Sequence, residues 1–254
     1  MCNFACTLNN DEQMKYAIIA AGEGSRLAAE GIIVPKPLVE VGGEKLIDRL
    51  IRIFMANEAE EIVVICNDRT ARVSQHLAGL QRDGLAGCHV PLRFIVKSTP
   101  SSMHSFFEIS RYLSDGPFCM TTVDTIFREA DFAAYIKAFK EGGCDGLMGV
   151  TDYIDDERPL YVQTDGDMNI LGFHDAQGDE QENCKYISAG IYGLHPNAIY
   201  TLDNCIARSE HRMRNFQRGL VRDGRHLKAY AFSKVLDIDH AEDVAKAEEF
   251  LKSE

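Results

Sequence analysis

The residues with the clearest chemical promise stand near the start of the chain, in AIIAAGEGSRL (17–27). Gly22 and Gly24 follow directly on an apolar run. Glycine there permits positive φ and lets successive backbone N–H groups converge on an anion. Arg26 and, further on, Lys36 in VPKPL supply cations that would complete a phosphate cradle. The pattern is not the GxxxxGK[ST] of a P-loop, and Leu27 stands where a dinucleotide fingerprint needs a third small residue. A tight turn without a ligand is the competing reading of GEG taken alone. Farther along, Asp124 closes the apolar run PFCMTTV, at a strand end where open α/β sheets bind ligands. Asp237 and Asp239 flank Ile238 in LDID, so on an extended strand both carboxylates share a face. Asp239 has a second use, because Asp239, His240, Ala241 and Glu242 read as the N-cap and capping box of a last helix.

These groups can act together only if the fold brings distant segments to one place. KYAIIA (15–20), EIVVIC (61–66), LRFIVK (92–97) and PFCMTTV (117–123) predict four buried strands. Between them, Leu46, Ile47, Leu50, Ile51 and Phe54 predict a helix over about 44–56, and Val73 to Leu80 a shorter one. Met103, Phe106, Phe107, Ser110 and Leu113 mark the next helix, and Phe132, Tyr135, Ile136 and Phe139 another. Such alternation implies an α/β fold whose mostly parallel sheet carries helices on both faces. Between 145 and 194 four strand-like runs separated by turns predict hairpins or a mixed extension of that sheet. A helix near 210–223, a strand at 226–232 and a helix from about 240 close the chain. One Rossmann-like domain over 14–254 is expected, preceded by a flexible extension, 1–13. Arg208, Arg212, Arg214, Arg218, Arg222 and Arg225 read first as a solvated helix face around Met213, Phe216 and Leu220. The alternative is that some bind an anionic acceptor or a neighbouring subunit.

Composition narrows the function classes. The 254 residues are 45% hydrophobic and 26% charged, an ordinary globular balance. Against 39 acidic residues stand 27 basic ones, and a net charge of −12 disfavours nucleic acid or an anionic membrane as a partner. The eight cysteines show no CxxC pair, the histidines show no HExxH spacing, and MCNFACTLNNDEQ is no secretory signal. No apolar run approaches the ~18 residues of a membrane span. A soluble cytoplasmic protein is expected.

The string AAGEGSRL, a spacer, then PKPLVEVGGEKLIDRLI resembles the AAGxGxR…PKxLxxxxGxPxL signature of the nucleotidyltransferases that make nucleotide sugars, of the MobA-like NTP transferase type. The resemblance continues through CMTTVDTIF (119–127), SAGIYGLHP (188–196) and VLDIDHAEDVAKAEEFL (235–251). It implies an Mg²⁺-dependent, in-line transfer of a nucleotidyl group from an NTP to a phosphorylated acceptor, foremost a sugar 1-phosphate, with release of pyrophosphate. It makes Arg26, Lys36 and Asp124 the catalytic set. Ala20, Ala21, Gly22, Gly24, Ser25, Ser98 and Ser102 would join Arg26 and Lys36 on the nucleotide. Asp124 and Asp237 would hold the metal, with Asp239 as second choice because of its capping use. Ser188, Gly190 and Lys185 would meet the acceptor, Lys185 standing in for the lysine of a Glu-Lys pair that FHDAQGDE lacks. Lys36, between two prolines, is expected in an extended segment. No length is left after the closing helix for the C-terminal β-helix of some relatives, and a homodimer is admitted. KSTPSSMHS (97–105), which lacks the Gly-Thr of the TPxGTxxA-like stretch with which relatives read the base, and the missing Glu-Lys pair keep open a cytidylyltransferase of a phosphorylated alcohol or phosphonate such as phosphocholine. A non-catalytic nucleotide-sensing module is the rival from another class; a nicotinamide dehydrogenase is disfavoured by Leu27 and the PKP segment.

Overall fold

A computed structural model of the protein describes residues 14–155, 158–176 and 184–252. The extension expected at 1–13 lies outside the described residues. From Met14 the chain forms β1 (Met14–Ala20), α1 (Ser25–Ala29), a 3₁₀ turn (Lys36–Leu38), a hairpin of β2 (Glu40–Val41) and β3 (Glu44–Lys45), and α2 (Leu46–Ala56). Next come β4 (Ala59–Cys66), α3 (Ala71–Asp83), β5 (Leu92–Val96), α4 (Ser102–Ser110), β6 (Phe118–Thr122), β7 (Thr125–Phe127) and α5 (Glu129–Glu141). Then follow β8 (Gly146–Thr151), β9 (Tyr161–Thr164), β10 (Ile170–His174), β11 (Tyr186–Leu194), α6 (Asn197–Ala207) and α7 (Met213–Arg222). The described part ends with β12 (Leu227–Ala231), β13 (Val235–Asp237) and α8 (Ala241–Lys252).

β1 is apolar on both faces because it runs through the middle of the sheet, in parallel with β4 on one side and β6 on the other. β5 extends the β4 side, also in parallel. Beyond β6 comes β11, antiparallel to both β6 and β8, and β12 runs parallel to β8 at the far edge. The β9–β10 hairpin pairs with the start of β11. The sheet is therefore mixed and mostly parallel, as the strand–helix alternation predicts. The runs between 145 and 194 extend it in two ways: β8 and β11 join its body and the hairpin hangs from it.

Alternate residues of β1 feed two cores. On one face Tyr16 and Ile18 pack under α2 and α5. Tyr16 stacks on Phe54 with ring centroids 4.5 Å apart, and Phe132 meets Phe54 at 5.5 Å and Phe127 at 4.8 Å. On the other face Ala17 and Ile19 lie with Met103 and Phe106 of α4, Leu202 of α6 and Phe216 of α7. α6 leaves little trace in the hydrophobic pattern, since its buried stripe is Ala198, Thr201, Leu202 and Cys205. Cys66, Cys119, Cys144 and Cys205 carry free thiols. No helix among the described residues is long and apolar enough to cross a membrane.

The strand order reverses at β1: β4 and β5 lie to one side and β6 to the other. The loops leaving the C-terminal ends of β1 and β6 part there, and open sheets bind ligands in the crevice so formed. The aromatic cluster beneath supports the three segments that reach it. Truncating its central ring, Phe132→Ala, is expected to cost about 3–5 kcal/mol, as Phe truncations in cores do. Urea denaturation should show a lower midpoint with an unchanged slope.

Candidate functional site

The glycine loop leaves β1 at Ala20 and turns into α1 at Gly24, which has φ 63°. A Cβ on Gly24 would stand 3.1 Å from Cβ of Lys36, so both the left-handed backbone and the close approach require glycine. The Asn67 side chain, just past β4, donates to the carbonyls of Ala21 (3.3 Å) and Gly22 (3.1 Å) and fixes the loop's first peptides. Asn67 is not among the residues expected at the site; its place as the first polar residue after a buried strand is the one sequence signal for it. Lys36 is not in an extended segment. It opens the 3₁₀ turn, in which N–H of Leu38 donates to Pro35 O and N–H of Val39 to Lys36 O. Pro37 is compatible because the first turn of a helix leaves its N–H groups without internal partners.

This turn carries Lys36 Nζ to two carboxylates, Asp124 Oδ2 at 2.5 Å and Asp239 Oδ1 at 2.7 Å. Arg26 Nη1 meets the other oxygen of Asp239 at 2.9 Å. Burial opposes the charge on Lys36, but Asp124 and Asp239 outweigh it and hold the ammonium above the usual lysine range. Burial likewise opposes charge on Asp124, and the Lys36 ammonium keeps that carboxyl below the usual aspartate value. Asp124 sits in the turn between β6 and β7; Asp239 arrives from the C-terminal end. β13 pairs antiparallel with β7, and N–H of Ile238 donates to the Asp124 carbonyl at 3.1 Å. The backbone itself thus sets the two aspartates side by side.

Asp239 is not the cap of the last helix. Asp243 Oδ2 accepts from N–H of Asp239 and of His240, and Glu30 Oε2 accepts from N–H of Ala241. The reaching-back partner expected at Glu242 is thus one residue later, because the helix begins at Ala241. Of the two C-terminal carboxylates, Asp239 joins Lys36 and Asp124, and Asp237 lines a cavity beside them.

Two cavities meet at Asp124. The first, about 550 Å³, is walled by the loop from Ala21 to Arg26, by Lys36, by Ser101 and Ser102 at the start of α4, and by Asp239. The second, about 380 Å³, is lined by Ser188, Gly190, Tyr192, Asp237, Arg158 and Arg212, among others. The fold brings Ala21, Gly22, Gly24, Ser25, Arg26, Lys36 and Ser102 together, with Ala20 buried at the strand end behind them. Ser98 stays apart, its hydroxyl donating to Asp68 Oδ1. Lys185 also stays apart: it is exposed, pairs with Asp152 at 3.8 Å and lies over the Tyr186 ring. Arginines take that side instead. Arg212 and Arg214 line the second cavity, Arg214 and Arg218 both pair with Asp175, and Arg222 pairs with Glu210, so α7 is more than a solvated face.

A family model described as "MobA-like NTP transferase domain" matches residues 16–183, a stretch that includes the glycine loop, Lys36 and Asp124. The chain belongs to this family. It is 24% identical over 250 residues to the UTP–glucose-1-phosphate uridylyltransferase AglF of Haloferax volcanii, covering 95% of this chain and 98% of that one. It is 29% identical over 65 residues to a glucose-1-phosphate cytidylyltransferase of Salmonella typhimurium, spanning 25% of that protein. A mannose-1-phosphate guanyltransferase of Schizosaccharomyces pombe is 28% identical over 191 residues, 73% of this chain and 51% of that one. The fold matches an inositol-1-phosphate CTP transferase from T. maritima (TM-score 0.75, 20% identity, 95% and 96% of the two chains). It also matches a putative glucose-1-phosphate thymidylyltransferase from Bacillus anthracis (TM-score 0.80, 17% identity, 95% and 96%).

Removing the shared cation tests the electrostatics. Lys36→Met leaves two carboxylates facing each other, one of them buried, and should destabilise the metal-free protein by about 3 kcal/mol at neutral pH. Because Lys36 depresses the Asp124 pKa, its stabilising effect is present above the ordinary aspartate value of 3.8 and is lost as pH falls through the depressed one. Denaturation at pH 7 and at pH 3 should therefore show a large gap between wild type and variant that narrows in acid.

Proposed function

We propose that the protein transfers a nucleotidyl group from an NTP to a sugar 1-phosphate, forming an NDP-sugar and pyrophosphate. The observation that carries this reading is the meeting of the glycine loop, Arg26, Lys36, Asp124 and Asp239 at a crevice continuous with an arginine-lined cavity. The relatives support the acceptor class, since their names specify glucose 1-phosphate or mannose 1-phosphate. Those names differ in the nucleotide, so they leave the base open.

The reaction joins one anionic phosphate to another, so it needs positioning and charge neutralisation more than acid–base chemistry. The loop peptides, Arg26 and Lys36 hold the triphosphate and offset charge on departing pyrophosphate. The acceptor phosphate enters past Asp124 on the side of Ser188 and Gly190, with Arg212 as its cation in place of Lys185. Asp237, in the same cavity, can accept hydrogen bonds from sugar hydroxyls. The acceptor's own phosphate oxygen is the nucleophile, so no covalent enzyme intermediate is required.

The residues present also fit a divalent cation. Asp124 Oδ1 is buried and lacks a hydrogen-bond partner among the described residues, and Asp239 brings a second carboxylate. Two carboxylates completed by phosphate oxygens are a donor set of the Mg²⁺ kind. Among the described residues no group of three or more His, Cys, Asp or Glu side chains gathers as a self-sufficient site. Bound there, Mg²⁺ would neutralise charge on the reacting phosphates.

A panel of the four NTPs against sugar 1-phosphates, phosphocholine and a phosphonate, scored by Mg²⁺-dependent pyrophosphate release, tests the reading. Product from a sugar 1-phosphate is expected. Tight NTP binding without product from any acceptor would favour a sensing module instead. Asp124→Ala should lower turnover about 10²–10³-fold, the range seen when transition-state electrostatics are removed. Lys36→Ala should lower kcat more than it raises the nucleotide KM. Arg212→Ala should raise the acceptor KM and leave the nucleotide KM near its wild-type value.

A further inference from the structure

The carboxylate of Asp239 lies next to a helix that should attract it. A helix start leaves N–H groups without internal partners, and an aspartate side chain readily accepts from the N–H two residues on. For Asp239 that N–H belongs to Ala241, the first residue of α8. Asp239 nevertheless faces Lys36 and Arg26. The N–H of Ala241 is already taken, by Glu30 Oε2 at 2.7 Å, while Glu30 Oε1 lies 2.6 Å from His240 Nδ1. Asp243 occupies the N–H groups of Asp239 and His240.

We propose that Glu30 is a positioning residue: by capping Ala241 in place of Asp239, it keeps the Asp239 carboxylate turned toward Lys36, Arg26 and the metal. The role rests on the nucleotidyl-transfer reading and deepens it. The segment that carries Glu30 suits the task. Arg26 and Glu30 stand four residues apart across α1, a spacing that puts them on one helical face. Arg26 grips the outward-turned carboxylate while Glu30 removes the donor that would draw it back. The same few residues hang directly from the glycine loop, so the phosphate cradle and the C-terminal carboxylate are held in register by one short piece of chain.

The test pairs amide hydrogen exchange at Ala241 in the metal-free protein with the Mg²⁺ concentration that half-saturates turnover. In Glu30→Ala the Asp239 carboxylate should turn back onto α8. The Ala241 amide then stays protected in Glu30→Ala and in Asp239→Ala, and loses protection only in the double variant. The half-saturating Mg²⁺ concentration should rise about tenfold in Glu30→Ala, as when a partner that orients a metal ligand is lost. It should return toward the wild-type value in Glu30→Gln, whose side-chain carbonyl still accepts from Ala241. An unprotected Ala241 amide in Glu30→Ala, or an unchanged Mg²⁺ requirement, overturns the proposal. Should Glu30→Ala fail to fold, Glu30→Asp, one methylene too short to reach Ala241, gives the same reading. If the wild-type chain releases no pyrophosphate with any acceptor, the functional reading falls, while the exchange pattern still decides who caps α8.

Discussion

One ammonium group sits between two carboxylates that the chain delivers from far away. Asp124 is 88 residues from Lys36 and Asp239 is 203. Leaving the largely buried Lys36 or Asp124 without its partner costs several kcal/mol, so the segments that carry them must arrive together. The sheet solves this by adjacency. β1 and β6 are neighbours, so the glycine loop and Asp124 emerge side by side. The β13–β7 pair and the Ile238–Asp124 hydrogen bond then bring the last carboxylate to the same place by backbone contact alone.

The same constraint gives an acidic protein local positive charge where the proposed anionic substrates would sit. The whole chain carries a formal charge of −12, yet Arg26, Lys36 and Arg212 face the two cavities. Charges a few ångströms away outweigh a diffuse net charge that salt screens beyond about 10 Å. Lys36 is kept from repelling Arg26 by Asp239, which contacts both.

Much of this was legible in the sequence. The buried strands are continuous apolar runs, the helices have apolar stripes, and the glycine loop and Asp124 stand at strand ends where an α/β fold places ligands. Local rules misled where a tertiary contact replaced them. Asp239 followed by an acidic residue three positions on looks like a capping box, but Asp243 is the acidic residue that reaches back, and Glu30, more than 200 positions away in sequence, accepts from the Ala241 N–H. Proline context suggested an extended Lys36, although a 3₁₀ turn tolerates Pro37 at its second position. Lys185 is near the SAGIY strand in sequence, whereas the arginines that line the second cavity with Ser188 come from segments packed beside it. The second cavity depends on pairings between strands distant in sequence, which periodicity does not encode.

The central claim is that Asp124 and Asp239, rather than Asp237, jointly hold a divalent cation against the nucleotide's phosphates. Crystals grown with Mn²⁺ and a non-hydrolysable NTP, measured at the manganese absorption edge, locate that ion directly. The account predicts an anomalous peak bridging the Asp124 and Asp239 carboxylates, with a phosphate oxygen completing the contact and Lys36 turned onto the triphosphate. A peak held by Asp237 without Asp239, or none within reach of Asp124, would contradict it.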